Sequence, residues 1–308
     1  MHVASTHDAK PDERNADILV NINNELFHRD DAKISVFDSG YLVGDGVWEA
    51  IRLHEKVLVF ASAHLERMWQ AAHTIGLRLP FTQTQLVERV TRTLTANNMT
   101  DGVHVRIMVT RGNKKTPSQD PRLTIGAPNV VIIPEYKTAS EETKAKGIKL
   151  FTSSVRRGSP DYLDPKLNCH SKLHEVIALI QAQQAGADEA LMLDVNGFVS
   201  TCNATNFFIV KNEIVRTSTG QYCMNGITRA KVLEACKRSQ IPVKECNFSL
   251  FDVYGADEAF VTGTFGGLTP VTDVDGRKIG NGSRAMTTTL QTLYHDLITE
   301  DVAKHSPN

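Results

Sequence analysis

The sequence lacks the features that would assign it to a membrane-spanning or nucleic-acid-binding class. No stretch approaches the roughly 18 apolar residues that cross a bilayer, and the polar segment 1–16 has no apolar core of a secretory signal. No long block of like charge occurs, because 34 basic and 35 acidic residues are mixed to a net charge of −1. We therefore expect a cytoplasmic protein with neither nucleic acid nor a membrane as its partner.

Cysteines and metal-ligand patterns are also sparse. The five cysteines are an odd number without zinc-type spacing, so reduced thiols are expected. His170 and His174 are one helical turn apart, but no third ligand accompanies them, and no metal site is predicted. The cysteines are Cys169, Cys202, Cys223, Cys236 and Cys246.

The composition that remains is that of a globular protein, with 41% hydrophobic and 22% charged residues. At roughly 100–200 residues per domain, 308 residues predict two domains. We expect a disordered tail at 1–16, a smaller N-terminal α/β domain at 17–134 and a larger C-terminal domain at 148–308. The segment 135–147 between them is rich in Lys, Glu and Thr and is predicted to be the linker.

Strand and helix periodicities are both present and predict an α+β chain. Asn23-Asn24 and His54-Glu55-Lys56 separate short apolar runs and are predicted to be hairpin turns. Helical spacing predicts helices at 61–76, 83–97, 172–185, 227–239 and 283–298. The other predicted strands are 103–110, 129–133, 148–153, 189–193, 198–201, 206–210, 213–217 and 258–262.

Three glycine-rich loops have features of ligand sites. The first, Val36–Arg52, contains three glycines that permit close backbone approach to a ligand or a subunit, and ends on the Arg52 cation. The second, Asn225–Arg229, opens a helix, where free N–H groups and the Thr228 hydroxyl can hold an anion. The third, Thr262–Pro270, can form a phosphate-binding nest. Each loop alone is a weak signal. A tight turn with a surface arginine explains the first equally well, a helix cap by Thr228 is the commoner explanation of the second, and a simple turn can explain the third. Together the three loops favour an anionic ligand.

Five motifs also follow one another in a characteristic order. They are Phe-Asp-Ser-Gly-Tyr-Leu-x-Gly-Asp-Gly-x-x-Glu-x-x-Arg ending at Arg52, His64-Leu-Glu-Arg67, Asn206-Phe-Phe, Gly226-Ile-Thr-Arg229, and Thr262-Gly-Thr264 followed by Thr269-Pro270-Val271. From about residue 17 onward this order resembles the class IV aminotransferase family, which includes branched-chain and D-amino-acid aminotransferases.

The resemblance implies a two-domain α+β fold of type IV, like that of D-amino-acid aminotransferase. It also implies a homodimer that uses pyridoxal 5'-phosphate (PLP), an amino acid or amine, and a keto acid. The larger C-terminal domain would bind the cofactor. Arg52, the Ile227 and Thr228 amides and Thr264 would hold its phosphate. The full implied cofactor set is Arg52, Thr201, Asn206, Gly226, Ile227, Thr228 and Thr264.

The expected lysine is missing from its usual place. The family needs a lysine that attaches the cofactor covalently, and the segment after Asp164-Pro165 resembles that region. Aligned without gaps to Glu189-Ala190, the lysine position falls on Asn168, whose amide cannot form the bond. Lys172 lies one helical turn further on, and Lys166 lies two residues back with the same facing on a strand. Both lysines can instead be surface residues; for a working enzyme we expect Lys172 to be the catalytic one.

A second departure lies at Thr201, where the family has a glutamate that pairs with the protonated pyridine nitrogen of the cofactor. The threonine hydroxyl can donate or accept a hydrogen bond but carries no charge. A neutral partner stabilises a carbanion less than a carboxylate does, so Thr201 argues against ordinary transamination.

For the substrate pocket, the sequence offers candidate residues that each have an alternative role. Tyr41 and Trp48 are candidates to line it, with ordinary packing as the alternative. Arg111 and Arg122 are candidates to bind a substrate carboxylate bidentately, with solvated loop arginines as the alternative. The related D-amino-acid enzymes carry an Arg-x-His pair near Arg122, and this chain does not.

These observations leave three functions open. The first is a PLP-dependent aminotransferase with an atypical active site. The second is a lyase or isomerase on the same scaffold, and the third is a non-catalytic homologue that binds PLP. Retained phosphate-site residues favour an active protein, whereas Asn168 and Thr201 argue against standard transamination.

Overall fold

The computed structural model describes residue 9 and residues 11–306, and the chain divides into two compact units. Of the described residues, the N-terminal unit comprises 11–138, 168–171 and 301–306, and the C-terminal unit comprises 9, 139–167 and 172–300. Among the described residues, no helix is both long enough and apolar enough to cross a bilayer.

The N-terminal unit contains a six-stranded antiparallel sheet in the order β2-β1-β8-β5-β3-β4 and a separate two-stranded sheet, β6-β7. Short 3-10 helices lie at Glu13–Asp17 and Pro121–Leu123. The other elements are β1 Leu19–Ile22, β2 Glu25–His28, α1 Ser39–Val43, β3 Gly46–His54, β4 Val57–Leu58, α2 Ala61–Thr74, α3 Gln83–Ala96, β5 Val103–Thr110, β6 Asn113–Lys114, β7 Thr124–Ile125 and β8 Asn129–Tyr136.

Sequence periodicity explains this sheet and its helices. Along β5, the valines and isoleucine at alternate positions from Val103 to Val109 are completely buried. Helix α2 buries Leu65 and Met68 on one face, as its spacing predicts. Helix α3 begins at a capping box in which the side chains of Thr82 and Gln85 satisfy backbone N–H groups.

The C-terminal unit contains a nine-stranded mixed sheet in the order β11-β10-β9-β16-β15-β12-β13-β14, with β17 paired to β16. Its elements are α4 Glu141–Lys146, β9 Ile148–Thr152, α5 Leu173–Gln184, β10 Glu189–Leu193, β11 Val199–Cys202, β12 Asn206–Lys211, β13 Ile214–Thr217, α6 Ile227–Arg238, β14 Val243–Glu245, α7 Leu250–Tyr254, β15 Glu258–Gly263, β16 Gly267–Val274, β17 Arg277–Lys278 and α8 Ala285–His305. Strands β10 and β11 are buried along their whole length, and β12 is buried apart from its last residue. This burial explains the nearly continuous apolar runs of β10 and β12.

The main error of the sequence-based strand assignment is β16. Gly267 and Pro270 indicate a turn by sequence, yet Gly267–Val274 is a strand between β15 and β9. Pairing with β9 begins at Val271, directly after Pro270. The last helix also extends beyond the predicted 283–298 and ends at His305. The two-turn-or-shorter helices α1, α4 and α7 are too short to produce a periodic signal.

The predicted tail and linker also require correction. Residues 1–8 and 10 lie outside the described residues, but Glu13–Asp17 is a helix in which Asn15 exchanges two hydrogen bonds of 2.8 Å with the backbone of Tyr136. The segment 135–147 contains the end of β8 and helix α4. That helix forms because the Ser140 side chain caps it and its first and last turns carry acidic and basic residues, respectively.

One internal segment departs from the predicted domain division. Residues 168–171 belong to the N-terminal unit because they lie along the edge of β3. Val47 and Cys169 form an isolated β-bridge, and the N–H groups of Trp48 and His170 donate to the carbonyls of Asn168 and Gly46 at 3.0 Å each. Strand β4 pairs only with Leu53 and His54, which leaves this end of the edge available.

Candidate functional site

Asn168, the position aligned with the family's lysine, is a buried hydrogen-bonding residue of the N-terminal unit. Its side chain is 2% exposed, and Nδ2 donates to the Trp48 carbonyl at 2.7 Å. Oδ1 is buried and has no hydrogen-bond partner among the described residues. Asn168 therefore presents an acceptor, and it cannot supply the amine that covalent attachment needs.

Trp48 makes packing contacts in the same unit. Its indole N–H donates to the Cys169 carbonyl at 3.1 Å, and the Arg106 guanidinium lies 4.2 Å from the ring centre. The predicted role of Trp48 in lining a substrate pocket stays a prediction, and its N–H is already used. Tyr41 is 75% exposed on α1.

The glycines of the first loop pack against the protein's own chain. A Cβ on Gly40 would lie 2.5 Å from Thr110 and 2.9 Å from His170, and Gly44 caps α1 with a left-handed φ of 72°. The loop is held by Asp38, whose carboxylate accepts from the Thr110 hydroxyl at 2.6 Å and caps α1. Close packing of the chain therefore accounts for these glycines, without a ligand.

The two predicted carboxylate-binding arginines already have partners. Arg111 donates bidentately to Asp45 and also to the carbonyls of Ile75 and Gly76, which engages four of its five N–H groups. This geometry favours a structural role for Arg111 in fixing the loop. The Arg122 side chain is 87% exposed and pairs with Asp120.

Arg52 and Glu49 lie on β3 and differ sharply in their surroundings. The Arg52 side chain is half-buried and makes no hydrogen bond or ion pair with any described residue, so it remains available for an anion. Glu49 is 1% exposed and binds two α2 residues. Arg67 donates to its carboxylate at 2.7 and 2.8 Å, and His64 Nδ1 lies 2.7 Å away. Burial raises the pKa of Glu49, but the hydrogen bonds of His64 and Arg67 outweigh it and lower the pKa overall.

In the C-terminal unit, Thr201, Asn206 and Gly226 come together where β11 and β12 approach the start of α6. Asn206 Nδ2 donates to the Met224 carbonyl at 2.9 Å and lies 3.3 Å from Thr201 Oγ1. A Cβ on Gly226 would lie 2.2 Å from Asn206 Oδ1, so only glycine allows the loop to approach so closely. Asn206 is also paired in register with Thr262 of β15.

The hydrogen bonds of Thr201 determine what it can offer a cofactor. Thr201 is 4% exposed, and its hydroxyl donates to the Thr205 carbonyl at 2.7 Å. A hydroxyl has one proton, so toward any ring nitrogen Thr201 can act only as an acceptor. Thr205 Oγ1 in turn donates to the buried carboxyl group of Glu189 at 2.8 Å.

The start of α6 has the character of an anion site. Gly226 occupies the N-cap position and has no side chain to cap the helix, so the first N–H groups, at Ile227 and Thr228, lack a capping acceptor from that residue. Thr228 is 3% exposed, and its hydroxyl lies 3.5 Å from that of Tyr294. On β15 the buried Thr262 hydroxyl has no partner among the described residues. Thr264 lies in the tight turn after β15.

The two candidate lysines have different surroundings in the C-terminal unit. Lys166 is exposed, and its backbone N–H donates to the Asp164 side chain. The Lys172 side chain is 29% exposed, and Nζ lies 3.5 Å from the buried carboxylate of Glu175. Arg157, which is 4% exposed, donates to the same carboxylate at 2.8 Å. Lys172 thus pairs with a buried carboxylate, a contact that Lys166 does not make within the described chain.

Hydrogen bonds connect this ion cluster to the threonine site. Arg157 Nε donates to the Tyr222 carbonyl at 3.4 Å, and Ser200 Oγ donates to the same oxygen at 2.8 Å. Ser200 precedes Thr201 in β11. No sequence motif singled out Arg157 or Glu175. The three-residue spacing of Lys172 and Glu175 was the available signal for their ion pair.

The acid stability of the protein should reflect Glu175. Burial raises its pKa, but His174, Lys172 and Arg157 outweigh burial and lower the pKa from 4.5 to about 2. Because the folded-state pKa is the lower one, the carboxylate stabilises the fold above about pH 4.5, and this contribution is lost as the pH falls toward about 2. We expect Glu175→Gln to lower the thermal midpoint at about pH 6 and to match the parent protein more closely near pH 3. A difference in midpoint that stays constant over this range would contradict the assigned ion cluster.

Comparisons with known proteins place this chain in a family. Residues 46–274 match the family described as amino-transferase class IV. Branched-chain-amino-acid aminotransferase-like protein 2 of Arabidopsis thaliana is 37% identical over 288 residues, and branched-chain-amino-acid aminotransferase of Pseudomonas aeruginosa is 31% identical over 291 residues. These alignments cover 93% and 92% of this chain, respectively. The chain spans 51% of the length of the Arabidopsis protein and 93% of the Pseudomonas protein.

A solved structure extends the similarity to the fold. The T.th. branched-chain amino acid aminotransferase with pyridoxamine 5'-phosphate is 27% identical and superposes with a TM-score of 0.86. The match covers 92% of this chain and 95% of that one. The chain therefore belongs to the class IV aminotransferase family and has the two-domain α+β fold of type IV. Within that family, the relatives named here are branched-chain aminotransferases or proteins like them.

Proposed function

We propose that this protein is a PLP-dependent aminotransferase with an atypical active site. It transfers an amino group from an amino acid or amine to a keto acid, uses Lys172 for covalent attachment of PLP, and works as a cytoplasmic homodimer. The observation that carries the proposal is the glycine-capped start of α6 together with the buried hydroxyl of Thr262, which has no partner among the described residues. These groups are suited to the phosphate of a cofactor.

The donor set fits PLP at its phosphate. Ile227 and Thr228 supply backbone N–H groups, and Thr228 and Thr264 supply hydroxyls. Gly226 allows the start of α6 to approach Asn206 closely, since a side chain there would meet the Asn206 amide oxygen. Arg52 is predicted to add a cation to the phosphate, and its guanidinium, unpaired within the described part of the chain, supports that prediction.

Thr201 suits the ring nitrogen of PLP less well than the glutamate that the family has at this position. Bound PLP supplies an electron sink that stabilises negative charge at the Cα of an amino acid. Thr201 can accept a hydrogen bond from the ring nitrogen but, being neutral, holds a proton there less firmly than a glutamate would. Asn206 fixes the orientation of Thr201 and of the loop at Met224. We therefore expect slower proton removal at Cα than a glutamate at this position would support.

Lys172 supplies the primary amine that Asn168 lacks. Its ammonium form is held by Glu175, so a proton must leave before the amine can act as a nucleophile. Glu175 is the acidic group that pairs with Lys172 and is itself fixed by Arg157.

A second candidate function is favoured by Asn168 itself. Its amide is buried and donates to the Trp48 carbonyl, so asparagine is compatible with the packing at this position. A chain that binds PLP without covalent attachment would be a non-catalytic homologue, or a lyase or isomerase on this scaffold. Binding of PLP without amino-group transfer from any amino acid or amine would favour this candidate.

The proposal is tested by titrating the purified chain with PLP and then measuring keto-acid formation from amino donors. We expect saturable binding and PLP-dependent transfer. Arg52→Ala removes a charge-assisted contact worth roughly 1.5–3 kcal/mol, which corresponds to about a 10- to 150-fold weaker PLP affinity. Arg122→Ala is the matched control, because that arginine is exposed and paired with Asp120. Equal PLP affinities of the two variants would refute the assignment of Arg52.

A further inference from the structure

The short turn 203–205 between β11 and β12 determines where the proton of the Thr201 hydroxyl points. The Thr205 carbonyl at the end of this turn accepts from Thr201 Oγ1 at 2.7 Å and from the Cys202 N–H at 2.9 Å. Asn206 Nδ2 lies 3.3 Å from the same Thr201 oxygen. A hydroxyl has one proton and two lone pairs, so Thr201 keeps one lone pair for a further donor.

A buried carboxyl group on the neighbouring strand holds this turn in place. Glu189 of β10 is 1% exposed, and its Oε2 accepts from the Thr205 hydroxyl at 2.8 Å. The next residue, Ala190, donates its N–H to the Asn203 side chain at 2.8 Å, and its carbonyl accepts from the Asn203 N–H at 3.0 Å. Both ends of the turn are therefore fixed to β10, and Glu189 fixes the end that carries the Thr205 carbonyl.

Burial makes the position of Thr205 depend on Glu189. Thr205 is 8% exposed and Thr201 is 4% exposed, so solvent does not readily replace a lost hydrogen bond at either hydroxyl. Without its acceptor, the Thr205 hydroxyl could regain a partner only if the turn moved. The Thr205 carbonyl would move with it, and the Thr201 proton would lose its acceptor.

The acid–base state of Glu189 does not interrupt this arrangement. Burial raises its pKa, the Thr205 hydrogen bond lowers it and the charge of Asp188 raises it, which gives a pKa of about 7 against an ordinary 4.5. The Cys202 thiol stays uncharged, because burial and Glu189 raise its pKa. A hydroxyl can donate to a carboxyl group in either protonation state, so the turn is held on both sides of neutral pH.

We propose that Glu189 is a positioning residue for the ring of the cofactor. By holding Thr205, it commits the single proton of Thr201 to the Thr205 carbonyl and keeps the Thr201 oxygen as an acceptor for a proton on the ring nitrogen of PLP. A freely rotating hydroxyl would instead donate to the unprotonated nitrogen and favour that form. The inference rests on the proposed function, in which Thr201 meets the ring nitrogen.

A pH titration of the ring nitrogen, followed by NMR of bound isotope-labelled PLP, tests the proposal. Thr205→Val removes the hydroxyl that Glu189 holds, and we expect the ratio of protonated to unprotonated nitrogen at a given pH to fall by about tenfold, as for the loss of one hydrogen bond. Thr217→Val is the matched control, because Thr217 is 1% exposed and its hydroxyl donates to the Phe207 carbonyl at 2.8 Å. Both variants should lose similar thermal stability, but only Thr205→Val should shift the titration. Equal titrations of the two variants would overturn the proposal.

Two variants of Glu189 keep the test decisive if Thr205→Val fails to fold, which circular dichroism would reveal. Glu189→Gln retains an acceptor for the Thr205 hydroxyl, so its ring nitrogen should titrate like that of the parent protein. Glu189→Asp withdraws the carboxyl group by one methylene and should shift the titration in the same direction as Thr205→Val. A parent-like titration of Glu189→Asp would contradict the positioning role.

Unfolding of the PLP-free protein tests the Glu189 contact without the cofactor. Because the folded-state pKa is the raised one, the contribution of Glu189 to stability is fully present below about pH 4.5 and is lost as the pH rises through about 7. The thermal midpoint of the parent protein should therefore exceed that of Glu189→Gln by more at the acidic end of this range than at the alkaline end. A constant difference would contradict the buried contact. A parent protein that does not bind PLP would defeat the proposed function itself, whereas PLP binding with equal titrations would defeat only the role of Glu189.

Discussion

Replacing Lys172 with alanine is expected to abolish both covalent attachment of PLP and amino-group transfer. The bond to PLP needs a primary amine, and Asn168 has none. Of the two candidate lysines, Lys172 is the one paired with a buried carboxylate, that of Glu175, within the cluster that also holds the Tyr222 loop. Loss of an amine that acts both as nucleophile and in proton transfer should reduce turnover by roughly 1,000-fold or more. Transfer kinetics and the absorbance of bound PLP measure the two effects.

Two further variants separate chemistry from structure. Lys172→Arg keeps a positive charge beside Glu175 but cannot form the bond, so it should fold normally and remain inactive. Lys166→Ala should retain activity, since that side chain is exposed. An active Lys172→Ala protein would refute the assignment of Lys172.

The largest stability effect is expected from Glu49→Gln in the N-terminal unit. The substitution keeps the shape of the side chain but removes the charge that Arg67 and His64 bind. Breaking a buried ion pair by removing one partner typically costs about 3–5 kcal/mol, because the remaining charge is left uncompensated. Urea denaturation followed by circular dichroism should show this loss as a lower unfolding midpoint.

Glu66→Gln on α2 is the matched control. Glu66 is exposed and has no ion pair among the described residues, so its substitution should change the free energy of unfolding by less than about 0.5 kcal/mol. If Glu49→Gln were as stable as Glu66→Gln, the contacts of Glu49 would contribute no net stability, contrary to this prediction.

Local periodicity predicted most of the fold. Features that depend on neighbours within a few residues can be recognised from the sequence. They include the alternation in β5, the turns at Asn23-Asn24 and Glu55-Lys56, and the spacing of α2. Strand β16 was missed because its glycine and proline are ordinarily turn signals. Its place between β15 and β9 depends on partners elsewhere in the chain.

The candidate site was predictable only in part, for the same reason. The motifs at Asn206 and Gly226 were visible in the sequence, and the structure brings them together. The partners of Asn168 and Arg111 were not visible, because Trp48 lies 120 residues from Asn168 and Asp45 lies 66 residues from Arg111. Such contacts are produced by tertiary packing and leave no local pattern.

Borohydride reduction of the PLP-loaded protein, followed by peptide mass mapping, tests the central claim most directly. Reduction makes the bond between PLP and a lysine permanent, so the labelled peptide identifies the residue. The proposed function predicts a label on Lys172. A label on Lys166 would show that the alignment around Asn168 is out of register. PLP binding without any labelled lysine would contradict covalent attachment and leave the non-catalytic or lyase/isomerase candidate in its place.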